Sequence, residues 1–312
     1  IDEVIPDHNV YILRTAKGRY VKLQLLDLVG KDGEAGNLQF RYDFISETGA
    51  NQLEMPAPRN YEKIISEDGP LDELIPENEA KRLVYLTIRN RSLDQDALNY
   101  IKWKMPALKE LDIRYTTLSI SDSDFGFKCF ENIRRLVLPI NLQVVGIEQL
   151  AYTHLEEIVF PGNKLTHIAS GAFSFSGNLK GLKLPDSVEV IEKDAFYGMK
   201  SLEYLEFPEL VSIIPICCCC LCPKLKSVVF NGRVQFLGDY AFHFCDSLTS
   251  MKFVCSTPPS YSMGTWPFIE RRLWNNANKK PRFFIYVPEG CVDDYLSAWR
   301  LSKKYADYFK EF

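Results

Sequence analysis

Residues 182–208 read LKLPDSVEVIEKDAFYGMKSLEYLEFP, and their apolar positions decide the fold. Leu202, Leu205 and Phe207 end in an alternation that suits a short strand with one buried side. Upstream, Val188, Ile191, Ala195 and Phe196 lie at set offsets before Leu202. Leu165, Ile168, Ala172 and Phe173 hold the same offsets before Leu179, and Val234, Leu237, Ala241 and Phe242 hold them before Leu248. Working outward, the strand pattern recurs as LVYLTI from Leu83, LKELDI from Leu108, IRRLVL from Ile133, LEEIVF from Leu155, LKGLKL from Leu179, LKSVVF from Leu225 and LTSMKF from Leu248. The spacing settles at about 23 residues. Pro139, Pro161, Pro185 and Pro208 each close a copy, because proline cannot extend a ladder through its own nitrogen.

One such unit cannot bury its own apolar edge, whereas stacked units build a continuous core from successive columns. The expected architecture is therefore an α/β solenoid, with short parallel strands on one side and a turn or short helix carrying the Ala-Phe pair on the other. The same register puts Val211, Ile214, Cys218 and Cys219 in the buried columns, so two thiols stand where other copies have alanine and phenylalanine. Free cysteine packs as a small hydrophobe, which makes the exchange mild.

Positions on either side of the second leucine point away from the core and form two exposed columns. One runs Tyr85, Glu110, Arg135, Glu157, Gly181, Tyr204, Ser227, Ser250; the other runs Thr87, Asp112, Val137, Val159, Lys183, Glu206, Val229, Lys252. Charges, tyrosines and uncovered valines on a rigid sheet suit a protein or glycan ligand. The candidate binding residues are Arg135, Glu157, Lys183, Tyr204, Glu206, Ser227 and Lys252.

The ends have a different texture. VYILRTAKG, YVKLQLLDLVG and LQFRYDFI alternate apolar and polar residues, which predicts a small antiparallel β module over residues 1–48. Residues 49–82 hold Pro56, Pro58, Pro70 and Pro76 among acidic residues and read as a linker. The solenoid is expected over residues 83–260, its first copy carrying a true helix from Leu93, Ala97, Leu98 and Ile101. Residues 261–312 are expected to hold an insertion and then a capping helix, with Val292, Tyr295, Leu296, Trp299 and Leu301 on one face covering the open strand edge.

The consensus of residues 182–208 resembles the BspA-type leucine-rich repeat of bacterial surface proteins, especially those of Bacteroides and its relatives. CSTPPSY from Cys255 and FIYVPEGCVDDYLSAW from Phe284 are similar to the closing segment of such proteins, although residues 263–282 form a longer insertion. YILRTAKGRYVKLQLLDLVGKDGEAGNLQFRYDF, from Tyr11, resembles part of the HmuY-like haem-binding proteins. The first resemblance implies an exported, cell-surface protein, anchored as a lipoprotein, that adheres to host matrix or neighbouring cells. The second implies nutrient capture of haem or a glycan as the alternative, with His8, just before that fragment, as the one imidazole of residues 1–48.

Composition excludes several other classes. With 41 acidic and 37 basic residues, the chain lacks the basic excess of a general nucleic-acid binder. No run of eighteen apolar residues suggests a membrane-spanning helix, and the absence of methionine at Ile1 is expected of a mature form whose targeting segment has been removed. Nine cysteines, five of them at 217, 218, 219, 220 and 222, do not form the spread pattern of a secreted disulfide framework. The interleaved C-x-x-C spacings could hold zinc only if four ligands converged, whereas the repeat register sends them apart; Cys222 and Cys245 share a column within disulfide reach.

No cofactor and no catalytic set is expected: His154, His167 and His243 fall in different copies, and neither G-x-S-x-G nor H-E-x-x-H occurs. Asp122 and Asp124 lack the distal glutamate of a calcium loop. The basic stretch around Trp274, with Arg271, Arg272, Lys279, Lys280 and Arg282, reads as an exposed loop that could touch anionic glycans. The expectation is a non-enzymatic recognition protein.

Overall fold

The computed structural model describes residues 61–121, 126–261 and 283–312, together with three backbone strands within residues 1–60. His8, Asp122, Asp124 and the basic stretch around Trp274 lie outside the described residues. Two compact units result, Ile1–Asn60 and Tyr61–Phe312. In the first, Val10–Arg14, Tyr20–Val29 and Asn37–Ile45 pair antiparallel in sequence order.

The second unit is a parallel solenoid. Its primary ladder comprises Glu62–Ile65, Tyr85–Leu93, Glu110–Leu118, Arg135–Val137 and Glu157–Val159, then a second sheet of Gly181–Lys183, Tyr204–Phe207, Ser227–Phe230, Ser250–Phe253, Phe284–Val287 and Phe309–Glu311. Leu182, Leu205, Val228 and Met251 pair in direct succession, as the 23-residue period requires. The break falls where the spacing changes to its later value. Leu155 comes 22 residues after Ile133 and Leu179 comes 24 after Leu155, so the Glu157–Val159 strand is one residue out of step with the later period. Its Ile158 and Phe160 are accordingly only half-buried, where Leu182, Leu184, Leu205 and Phe207 are buried.

Behind the ladder the core is built of columns. Phe207, Phe230 and Phe253 stack with ring centroids 5.3 and 4.5 Å apart and planes 5° and 15° apart. Phe173 stacks on Phe196 at 5.7 Å. Such rings supply large buried apolar areas and add pairwise attraction beyond burial. Cys218 and Cys219 are fully buried in the alanine and phenylalanine columns, and Phe207 lies 6.4 Å from Phe196 and 6.5 Å from Phe242, the rings that precede and follow Cys219 in its column.

On the far side the turn, of the two forms expected for the Ala-Phe pairs, is the one found. Two-residue strands form a secondary ladder, Val144–Val145 with His167–Ile168 and Val190–Ile191, and Ile213–Ile214 with Phe236–Leu237 and Ser260–Tyr261. Beyond it the Ala-Phe segments are turns. Glu148, Gly171, Asp194, Cys217 and Tyr240 have positive φ, as do Cys129, Tyr152, Phe175, Gly198, Leu221 and Phe244. Left-handed residues cannot propagate a right-handed helix. Their cost is offset by bonds between rungs: Phe175 N donates to Tyr197 O, Gly198 N to Cys220 O and Leu221 N to His243 O, each at 2.8 Å. The expected helix of the first copy does form at Gln95–Lys104, where Asp94 caps it by accepting from Ala97 N at 2.8 Å.

Two expectations about the ends need correction. The stretch expected as a linker, 49–82, is part of the solenoid from Tyr61 onward: Glu62–Ile65 pairs with the first copy, and Pro70 and Pro76 precede the short helices Leu71–Leu74 and Glu77–Ala80. Proline is tolerated at helix starts, so its density marked helix entry there and not flexibility. At the other end, the helix Val292–Ala298 does not cover the strand edge. Phe284–Val287 and Phe309–Glu311 continue the ladder instead, while the helix seals the core beside Phe253, with Tyr295 and Trp299 centroids 5.7 and 5.9 Å away.

Candidate recognition surface

The primary ladder places the sequence-derived candidates in adjacent register. Tyr204 pairs with Gly181 and Ser227, Glu206 with Lys183 and Val229, and Val229 with Lys252. Arg135 pairs with Glu157, and its Nε donates to Glu157 Oε2 at 3.0 Å. The ladder break separates that pair from the other five residues. Such an exposed pair adds little stability, and its value lies in the pattern of charge it presents.

Tyr204 is the most exposed aromatic of this face, at 54%. Its ring lies across Gly181, where an added Cβ would come within 1.9 Å of Tyr204 Cζ. The glycine thus supplies a flat seat, and the ring presents its other face to solvent. Lys183 and Glu206 flank it as exposed, oppositely charged register partners.

One further column position and one candidate differ from the expectation. Val137 is fully buried and not an uncovered valine; it lies in register beside Asp112, which is bound by Arg114. Lys252 is engaged, its Nζ 3.7 Å from the Phe312 ring centroid. The face also extends further than expected. Glu62 and Ile64 precede Tyr85 and Thr87, and Phe284 and Tyr286 follow Ser250 and Lys252. The signal was present in FFIYVP, where Phe283, Ile285 and Val287 alternate inward ahead of a terminal proline.

Away from this face, the titratable clusters serve the scaffold. Cys222 Sγ donates to Phe196 O at 3.2 Å and Cys245 Sγ to Cys219 O at 3.1 Å, as Ser176 Oγ does to Leu150 O at 2.6 Å. Each bond reaches back 26 residues, so these thiols occupy a column of donors that tie one rung to the last. Burial pushes the Cys219 thiol well up, and Cys220 up to about 12; Cys245 is raised by its hydrogen bond with Cys222 and by burial. Thiols held in this way resist forming the thiolate that nucleophilic attack and metal ligation need.

His167, Ser170 and Glu192 also converge. His167 Nε2 lies 2.9 Å from Glu192 Oε1, while Ser170 N and Oγ donate to Oε2 at 2.9 and 2.6 Å. The carboxylate sits between the other two, so the group on the serine oxygen is Glu192 and not the imidazole that a serine triad places there. The Ser170 hydroxyl bond holds the Glu192 carboxyl below the usual range, with His167 assisting and burial opposing.

The family model described as "BspA type Leucine rich repeat region" matches six copies over residues 97–176 and 146–262, and the model for "HmuY protein" matches residues 2–42. No curated protein matches the chain. Among solved structures, a leucine-rich repeat protein from Eubacterium ventriosum is similar at 14% identity, over 64% of this chain and 79% of that one, with a TM-score of 0.27. A leucine rich cell surface protein from Faecalibacterium prausnitzii is similar at 16% identity, over 65% and 62%, with a TM-score of 0.32. A leucine-rich repeat protein from Bacteroides ovatus is similar at 14% identity over 100% of both chains, with a TM-score of 0.24. Among the described residues no helix is long and apolar enough to cross a membrane.

Proposed function

The chain belongs to the family of BspA-type leucine-rich repeat proteins, and from that premise we propose that it works by non-covalent recognition on its primary ladder face. It is an exported protein acting at the bacterial cell surface, and its partner is a protein of the host matrix or of a neighbouring cell. The observation that carries this reading is the seating of Tyr204 on Gly181, between Lys183, Glu206 and Ser227. A half-exposed aromatic at the centre of a rigid, charged sheet is the type of residue that dominates binding energy at protein interfaces. Because the backbone beneath it is locked into the ladder, little ordering cost is incurred on binding.

The test is surface plasmon resonance of the purified chain on immobilised mammalian matrix proteins. Tyr204→Ala and Glu206→Lys are expected to weaken binding at least tenfold at unchanged melting temperature. Full binding by both variants would contradict the assignment.

The match of residues 2–42 to the HmuY model supports a second reading, capture of haem by the N-terminal unit. Residues 1–48 contain one histidine, His8, and neither cysteine nor methionine, so they offer a single imidazole for the iron. Haem titration decides it: a Soret shift that disappears in His8→Ala supports capture, and no shift removes it.

A further inference from the structure

We propose that the hollow at the start of the primary ladder is a second binding site, built for a neutral saccharide. The hollow measures about 530 Å³, within the range of small-ligand sites. It arises from a mismatch in strand length. Tyr85–Leu93 and Glu110–Leu118 run nine residues each, whereas Arg135–Val137 runs three and is followed by Pro139. The first two rungs therefore overhang the third, and the ladder register shifts between Thr87 and Arg89 and again before Ser92. Asn90 turns through a left-handed conformation at φ 54°. The proline-terminated strands end without such an overhang, so the hollow is not part of the repeating surface.

Its lining includes Asp68, Asn90, Arg91, Arg114, Tyr115 and Asn141. Both guanidiniums are already anchored. Arg114 Nε donates to both oxygens of Asp112 at 3.1 and 3.0 Å. Arg91 Nη2 and Nη1 donate to the carbonyls of Gly69 and Glu67 at 2.5 and 3.4 Å. Arg91 Nε is buried without a hydrogen-bond partner among the described residues, an unmatched donor in the wall of the hollow. Asp112 pairs with Arg114, and the lining holds one further charge of each sign, Asp68 and Arg91, so the charges at the hollow sum to zero and give it no excess with which to select an anion.

What remains is a set of planar groups, carboxylate, amide and guanidinium, around one phenol. Such groups pair with adjacent hydroxyls, each of which donates one hydrogen bond and accepts others. An apolar ligand would strip these groups of water without replacing its bonds. A polyhydroxylated ring replaces them, and Tyr115 and Ile140 offer apolar surface to its C–H faces.

The test is isothermal titration of the full chain with glucose-, galactose-, mannose- and N-acetylglucosamine-based tetrasaccharides. At least one is expected to bind, with affinity unchanged between low and high salt. Asp68→Ala and Asn141→Ala, both exposed side chains, should each lose at least tenfold at unchanged melting temperature, while Tyr204→Ala binds the sugar as the wild type does. Three outcomes overturn the proposal: no binding by any of the four sugars, full binding in both hollow variants, or affinity that collapses with salt.

Discussion

The ring of Tyr204 fills the space that a side chain on Gly181 would need, with Cζ 1.9 Å from the position of the missing Cβ. The two residues are direct partners on neighbouring strands, so an aromatic ring shields a strand glycine from water. Gly181→Ala should therefore displace a mobile, half-exposed ring and leave the backbone intact. The expected stability change is within about 0.5 kcal/mol, because alanine suits a strand better than glycine and the ring can turn away. Binding through the primary ladder should nevertheless fall. Urea denaturation and plasmon resonance on the same variant separate the two; a large loss of stability would contradict the account.

Cys219 stands in a phenylalanine column, and restoring the repeat consensus should harm the protein. Phe207 bridges towards both Phe196 and Phe242, so Cys219→Phe overpacks the core and is expected to cost about 1–3 kcal/mol. In contrast, Cys222→Ser keeps a donor for Phe196 O, whereas Cys222→Val leaves that carbonyl without it and should cost about 1–3 kcal/mol. Chemical denaturation checks all three. A Cys219→Phe variant more stable than wild type would refute the packing argument.

The Glu192 carboxyl is held below the ordinary glutamate value of 4.5, chiefly by the Ser170 hydroxyl. A depressed carboxyl contributes stability that is present above its unfolded pKa and is lost as pH falls through its folded pKa. The acid-side loss should therefore develop below pH 4.5, and in Ser170→Ala it should become smaller as the carboxyl returns towards its usual range. Carbon NMR titration of Glu192 in the two proteins measures this, and identical titration midpoints would contradict the assigned cause.

Trp299 seals the last rung, fully buried, with Nε1 donating to Pro259 O at 2.9 Å. Trp299→Ala should cost about 3–5 kcal/mol and release Phe309–Glu311 from the ladder. Amide exchange in residues 284–311 reads this directly. Protection there equal to wild type would show that the last strands hold without the helix.

The repeat was legible because its period was printed in the chain: Leu182, Leu205 and Val228 stack as their 23-residue spacing demands, and Cys218 and Cys219 are buried where the columns put them. Elements without a period were not. The short helices after Pro70 and Pro76 looked like a linker, since proline opens helices and loops alike. Two-residue strands such as Val190–Ile191 are too short to leave an alternation. The engagement of Lys252 by Phe312 depends on a residue outside its own column, which no single repeat encodes. The hollow beside Arg91 has the same origin, because it comes from a difference between rungs.

The most direct test of ladder-face recognition is photo-crosslinking to the matrix partner from a benzophenone side chain. One probe replaces Val229, the register partner of Glu206 on the primary ladder, and the other replaces Val190, which is 47% exposed on the secondary ladder. Crosslinks are expected from position 229 and none from position 190. Crosslinks from 190 alone, or equal yields from both, would contradict ladder-face recognition.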